Sequence, residues 1–462
     1  MDRTLKTIVV VGAGTAGSIV ASRLSQSGQW LVVLVEAGGD RSDEPPADLL
    51  VAMGEPGSTW PSLAIAPGAD NRFIRGRGVG GSSAINGGLC AVPPLHQFSE
   101  WETITDDPYW GPESVHPIFE MLRATTATYP RSAWGRADRA LDAAAVGGRA
   151  GLRVVDAMLH VDPIRRTRRT FGSQGLRHGR HRSNLVVITG DEVARLAING
   201  QGRVTGVVLA NGNEIAADHT VLCAGAVGSP VVLLRSGLTN RFIGKGLRNH
   251  VGVAITLQFS ETSEPGTPVT CLLGFTSDEI QVLPLNRVGL ELHNAAFGGF
   301  LLSPLDAVSG DGTVALDTGG EPVISFTPGP DDVAQLQKTL RLATELGREA
   351  VARGAARAAF VDSVGTPLET VGEFDDAQRN AWLGDHLTVL HHATGTCRMG
   401  STRDPEAVVD PGGLVNGIEG LSVIDASILP TLPAANPSLT IAMVAIKAVD
   451  RLAATLGRKG PT

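Results

Sequence analysis

Between Thr7 and Asp40 the chain reads TIVVVGAGTAGSIVASRLSQSGQWLVVLVEAGGD, and this stretch decides the fold. Ile8 to Val11 is a short apolar run rich in β-branched residues, which reads as a buried parallel strand. It enters Gly12-Ala13-Gly14-Thr15-Ala16-Gly17, after which Ile19, Val20 and Leu24 recur at helical spacing. A second apolar run, Leu31 to Val35, ends in Glu36. Strand, glycine turn, helix, strand and acid, in that order, make a dinucleotide-binding unit. Gly12 permits the tight turn, Gly14 lets backbone approach a pyrophosphate, and Gly17 lets helix and strand pack closely. The helix N-terminus offers free N–H groups to phosphate. Glu36, 19 residues past Gly17, is placed to accept from a ribose diol. This motif alone does not choose between NAD and FAD.

The 462-residue chain is long enough for two domains, and its net charge of −8 argues against nucleic acid as a partner. Cys90, Cys223, Cys271 and Cys397 have no pair spacing, so neither a disulfide framework nor a metal site is expected. The first strand begins too near Met1 to leave room for a leader. No apolar run approaches the ~18 residues of a membrane helix. A soluble, cytoplasmic protein is therefore expected.

Farther along, Arg75 to Gly88 (RGRGVGGSSAINGG) holds six glycines. Such a run can wrap a ligand with inward N–H groups, with Ser82, Ser83 and Asn86 adding side-chain hydrogen bonds. Residues 131 to 182 are polar and arginine-rich and are read as solvated surface. Strands are expected at Leu185 to Ile188, Gly202 to Leu209, Glu214 to Ala217 and from His219 into Cys223-Ala224-Gly225. From Val251 to about Asp385, strands followed by one amphipathic helix (Val333, Leu336, Leu340, Ala343, Leu346) suggest a separate α+β domain. The expected division is 1–130, 183–250 and 387–462 for cofactor, with 131–182 and 251–386 for substrate. The C-terminal helix, from about Ser438 to Leu456, is apolar all round at its start and should be buried.

Two places carry candidate chemistry. His391 and His392 follow an apolar run, and Asn436-Pro437-Ser438 begins the buried helix, with Asn436 or Ser438 as N-cap. The positive end of that helix would suit a group that gains negative charge, as a reduced flavin does.

With these pieces in place, the chain resembles the glucose–methanol–choline (GMC) oxidoreductases along nearly its whole length. The resemblance rests on VVVGAGTAG with Glu36, GRGVGGSSAINGG (76–88), CAGAVGSPVVLLRSGL (223–238), HHATGTCRMG (391–400) and VVDPGGLVNGIEGLSVIDASILPTLPAANPSLT (408–440). It implies an FAD-binding Rossmann-like α/β domain plus an α+β substrate domain with an antiparallel sheet. The ADP half would be held by Gly12, Gly14, Thr15, Ala16, Gly17, Glu36 and Ala37, with Val193 against adenine. The pyrophosphate and flavin would lie along Arg77, Gly80, Gly81, Ser82, Asn86 and Gly87. Cys223, Ala224, Gly225, Asp425, Ala426, Pro437 and Ser438 would complete the cofactor site, with Asn436 serving both cofactor and catalysis. His392 matches the catalytic histidine, and Asn436 the second catalytic position.

The departures are informative. Some members attach FAD through a histidine just before the asparagine of the glycine segment; here that position is Ile85, so non-covalent FAD is expected. The substrate region matches only in texture, which leaves the alcohol and the electron acceptor open. Trimmed bacterial members include enzymes encoded with mycofactocin, a peptide-derived redox cofactor, which makes its reduced form one candidate substrate. The expected reaction is oxidation of a small-molecule alcohol, with His392 taking the hydroxyl proton, suited by an ordinary pKa of ~6.5. The rival on the same fold is a redox-silent FAD lyase.

Overall fold

Lys6–Val11 lies in the middle of a five-stranded parallel sheet, ordered Leu421–Val423, His219–Leu222, Lys6–Val11, Trp30–Glu36, Leu185–Thr189. Its last four residues are fully buried, as an apolar run covered on both faces requires. The helix Thr15–Gln26 follows the glycine turn and packs on the C-terminal helix Ser438–Gly457, so both chain ends build one layer. The structure is a computed structural model describing residues 5–41, 45–61, 63–66, 72–146, 151–177, 179–263, 267–287, 296–306, 310–362 and 364–457.

A second, antiparallel sheet runs Ala358–Phe360, Val251–Gln258, Phe297–Pro304, Ile280–Leu285, Leu272–Phe275, Arg153–Asp156. Thr388–Val389 joins it beside Val251. Helix Pro330–Ala352 covers one face, burying Leu336, Leu340, Ala343 and Leu346 against Val253, Ile255 and Leu302. Pro330 opens that helix, and the Asp332 carboxylate accepts from Gly329 N (2.8 Å), closing its first turn. The chain thus combines a Rossmann-like α/β domain with an α+β domain built on an antiparallel sheet.

Several elements depart from the sequence reading. Gln97–Thr105 and Pro112–Arg123 are helices in a stretch given no element from sequence, and Arg136–Val146 is a helix inside the segment read as polar. Arg136–Val146 buries Ala137, Ala140, Leu141 and Ala144, an alanine stripe whose low hydrophobicity hid the periodicity. Val193–Ile198, Ile280–Leu285 and Phe297–Pro304 are additional strands. Leu63–Ala66 pairs in parallel with Pro322–Thr327 rather than with the nucleotide sheet. The arginine-rich segment is not simply solvated. Arg168 is 3% exposed and donates to Asn86 Oδ1 (3.2 Å) and to the carbonyls of Pro46 (2.9 Å) and Ala47 (3.1 Å). Arg182 ties back to Ser22 O (2.7 Å) and Ser25 Oγ (2.8 Å). These guanidiniums cross-link loops. Among the described residues, no helix is long and apolar enough to cross a membrane.

Candidate active site

The glycine turn separates into two kinds of position. A Cβ on Gly17 would sit 1.8 Å from Gly12 O, and one on Gly12, at φ +96°, would sit 2.8 Å from Cys223 O. Protein crowds those two. A Cβ on Gly14 would meet only Gly81 Cα, at 4.0 Å, so the missing side chain there leaves room for something the protein does not supply. No side chain caps the helix beginning at Thr15, whose first N–H groups point into that same space. Gly81 closes the far side, a Cβ on it falling 2.9 Å from Gly14 Cα.

Glu36 is 6% exposed and already accepts three backbone bonds, from Ala13 N (2.8 Å), Gly38 N (2.9 Å) and Gly78 N (2.9 Å). It binds the first glycine turn to the second glycine segment, and one of its ~4 acceptor positions remains. Ala37 lies beside it, partly exposed.

In the second segment the side chains turn inward on the loop itself. Ser82 Oγ accepts from Gly76 N (3.1 Å), Ser83 Oγ donates to Gly80 O (2.6 Å), and Asn86 Oδ1 accepts from Gly88 N (2.9 Å). These bonds shape the turn Gly81–Ala84, and in them Ser82 and Asn86 act only as acceptors. Arg77 stands over the Trp60 ring at 5.2 Å, and Gly87 opens on free space. Thr15, Ala224 and Gly225 are partly exposed, whereas Ala16, Cys223 and Ala426 are buried. Val193 is buried in the nucleotide-domain core. Asp425, 2% exposed, is saturated by Gly225 N, Ser229 Oγ, Ser427 N and Ser427 Oγ. Only its backbone is left to meet a ligand.

His392 is delivered by a kink. After Thr388–Val389, His391 takes φ +61°, a left-handed conformation that costs a non-glycine residue about 1–2 kcal/mol. Arg75 Nη1 donates to His391 O (2.8 Å), and the Phe73 ring meets the His391 ring edge-on at 5.6 Å. The Arg75 guanidinium itself lies 4.1 Å over Phe73. Beyond the kink, His392 N donates to Asn249 Oδ1 (2.7 Å), and His392 Nδ1 lies 2.8 Å from His250 Nδ1.

Which nitrogen carries each proton follows from the end of this chain. His250 Nε2 is 3.0 Å from Leu305 O, which can only accept, so His250 carries its proton on Nε2. Burial holds His250 neutral, with its pKa pushed down to about 4, so its Nδ1 is an acceptor. His392 must then donate from Nδ1. Burial, followed by the neighbouring His250 and His391 rings and the Arg75 guanidinium, none of which favours a second positive charge there, holds His392 well below the usual histidine range, leaving it neutral too. Its Nε2 is an unprotonated lone pair.

Asn436, 7% exposed, sits just before Ser438–Gly457, and its Oδ1 accepts from Gln281 Nε2 (3.1 Å). That bond fixes the amide with Nδ2 turned away from Gln281, as a donor. Gln281 pairs with Ser303 across the ladder, and Ser303 Oγ donates to the carbonyl of Val251, next to His250. Gln281 and the start of the strand that follows His250 are thus two strands apart, about 10 Å across the same end of the sheet at ~4.8 Å per strand. Around His392, Arg75 Nη2, Asn249 Nδ2, His391 Nδ1 and Thr394 Oγ1 are buried with no partner among the described residues. A bound group with a polar edge would satisfy such a set. Sequence reading gave no role to Arg75, Phe73, Asn249, His250, Gln281 or Leu305. Arg75 at least stood at the head of a segment already singled out; nothing marked the others.

Comparison with known proteins places these features in context. The GMC oxidoreductase family models match residues 6–252 and 309–445. A 5-(hydroxymethyl)furfural oxidase of Methylovorus sp. is 26% identical, over 98% of this chain and 99% of its own. An oxygen-dependent choline dehydrogenase of Yersinia pseudotuberculosis is also 26% identical, over 96% of this chain and 93% of its own. The crystal structure of pyridoxine 4-oxidase from Mesorbium loti superposes with a TM-score of 0.80 at 22% identity, over 96% of this chain and 98% of that one.

Proposed function

Because this chain belongs to the GMC oxidoreductase family, we propose that it oxidises an alcohol to an aldehyde or ketone, using non-covalently held FAD and His392 as general base. The residues fit the cofactor. Gly14 and the uncapped helix start at Thr15 would take the pyrophosphate, the spare acceptor position of Glu36 the ribose, and the orphaned polar atoms around His392 the flavin's polar edge. Ile85, where a linking histidine would stand, is aliphatic and buried and offers no nucleophile. FAD, when bound, supplies the acceptor for the hydride of the carbinol carbon.

The chain's own part is proton handling and orientation. His392 Nε2 takes the hydroxyl proton as the C–H bond breaks. Its Nδ1–H, held by His250, keeps the ring in the orientation and tautomer that expose Nε2. Asn436 Nδ2 donates to the alcohol oxygen and fixes its direction. A positioned base of this kind contributes about 10²–10⁴-fold.

The observation that carries the reading is the one-way hydrogen-bond chain from His392 through His250 to Leu305, which ends in an acceptor and so leaves a base at the other end. The test is anaerobic addition of alcohols to the FAD-loaded protein. Loss of the yellow colour supports oxidation; a colour stable to every alcohol would point to a redox-silent member of the fold.

A further inference from the structure

The antiparallel sheet has one face against helix Pro330–Ala352 and one turned toward His392 and Asn436. Side chains alternate along each strand, so the two faces can be sorted from the register. Val253, Leu302 and Val282 form a row that packs on Leu336 and Leu340. The other face carries Gln281, which touches Asn436, paired with Ser303; Gly252 lies on the same face, with the Leu390 side chain within contact of where its Cβ would be. The next row on that face is Ala254, Leu301 and Leu283, in register across three strands.

That row is apolar and, unlike its opposite, retains exposure: Ala254, Leu301 and Leu283 are each partly accessible in the middle of a sheet. Three strands at ~4.8 Å make a floor roughly 10 Å wide, enough for a ring or a branched alkyl group. Among the described residues neither row contains an Asp or Glu. The charge-bearing group beside His391 and His392 is the Arg75 guanidinium, so the local field is positive or neutral.

Resting on the alcohol-oxidation reading above, we propose that the substrate is an uncharged alcohol whose apolar body lies on Ala254, Leu301 and Leu283 while its hydroxyl reaches His392 and Asn436. A cationic alcohol would lose its hydration on these two rows, which carry no carboxylate to replace it, with the Arg75 guanidinium beside His391. A polyol would leave its extra hydroxyls unpaired there. The two named relatives therefore separate: the neutral furfuryl alcohol type fits this floor, and the quaternary ammonium type does not.

Choline and 3,3-dimethylbutan-1-ol have nearly the same shape and differ chiefly in charge, which makes them the decisive pair. Their dissociation constants for the FAD-loaded protein, kept anaerobic, can be read from ligand-dependent melting-temperature shifts. The neutral alcohol should bind at least about tenfold tighter than choline. Equal or tighter binding of choline, or binding of neither, overturns the proposal. If the neutral alcohol wins but fails to bleach the flavin, the substrate class stands and the oxidation reading falls. Leu301→Glu should narrow or reverse the preference, and an unchanged preference in a folded variant would contradict the placement. Ala254→Asp repeats the experiment one strand over if Leu301→Glu does not fold.

Discussion

His250 Nδ1 and His392 Nδ1 lie 2.8 Å apart, and one proton is shared between them. Leu305 O decides on which ring it sits, because an acceptor-only carbonyl claims the Nε2 proton of His250 and leaves His392 as donor. On the proposed mechanism His250 is a positioning residue, acting through His392. In His250→Leu the Nδ1–H of His392 loses its acceptor, and both tautomers become available. The rate of anaerobic flavin reduction should fall about ten- to a hundredfold, the worth of a hydrogen bond to a ring that becomes charged. His250→Gln, which retains an acceptor, should recover part of that loss. Equal losses in both variants would show that the ring merely fills space.

Gln281 does for Asn436 what His250 does for His392. Gln281→Leu frees the amide to turn over, so flavin reduction should slow by about three- to tenfold. Asn436→Asp, isosteric but without the donor, should be slower than Asn436→Ala. An aspartate variant as fast as wild type would remove the donor role from Asn436.

The glycines of the first turn predict a split between binding and folding. Gly17→Ala drives a methyl to 1.8 Å from Gly12 O and should lower the melting temperature of the cofactor-free protein. Gly14→Ala meets only Gly81 Cα at 4.0 Å, so the cofactor-free protein should melt as wild type does while its FAD affinity falls. Titration of FAD into both apoproteins, beside their melting curves, checks this. Loss of FAD affinity in neither variant would remove the turn from the cofactor site.

Low pH should act on stability before it acts on the base. His160, His219, His250 and His391 are each pushed down to about 4 by burial. Between that value and the ~6.5 of an unfolded histidine, the unfolded chain binds more protons than the folded one, so stability falls as pH falls through this window. Each ring contributes up to about 1.4 kcal/mol per pH unit. Asp138 and Asp425, raised by burial, act in the opposite sense. The melting temperature should therefore drop between about pH 6.5 and 5. Over the same range flavin reduction in the still-folded protein should show no inflection near 6.5, because His392 is held well below it. A half-loss of rate at that pH would mean an unperturbed base.

The parts legible in the sequence were those built from backbone and periodicity. The glycine turn, Glu36, the buried C-terminal helix and the amphipathic helix around Leu336 all declare themselves locally. The surroundings of His392 and Asn436 did not. His250 and Gln281 sit 142 and 155 residues from the side chains they contact, and only the tertiary fold brings them together. The arginines of 163–182 misled for a related reason. Arg168 reads as a surface charge, but carbonyls of Pro46 and Ala47 and the Asn86 amide make a buried seat for it. The alanine helix Arg136–Val146 was missed because its buried face is too small to stand out as apolar.

The most direct test is stopped-flow anaerobic reduction of the FAD-loaded protein by an uncharged alcohol, wild type against His392→Ala, with FAD content measured in both. The account predicts a yellow variant with full FAD whose reduction is slower by about 10²–10⁴-fold. A yellow His392→Ala protein that bleaches as fast as wild type would contradict it.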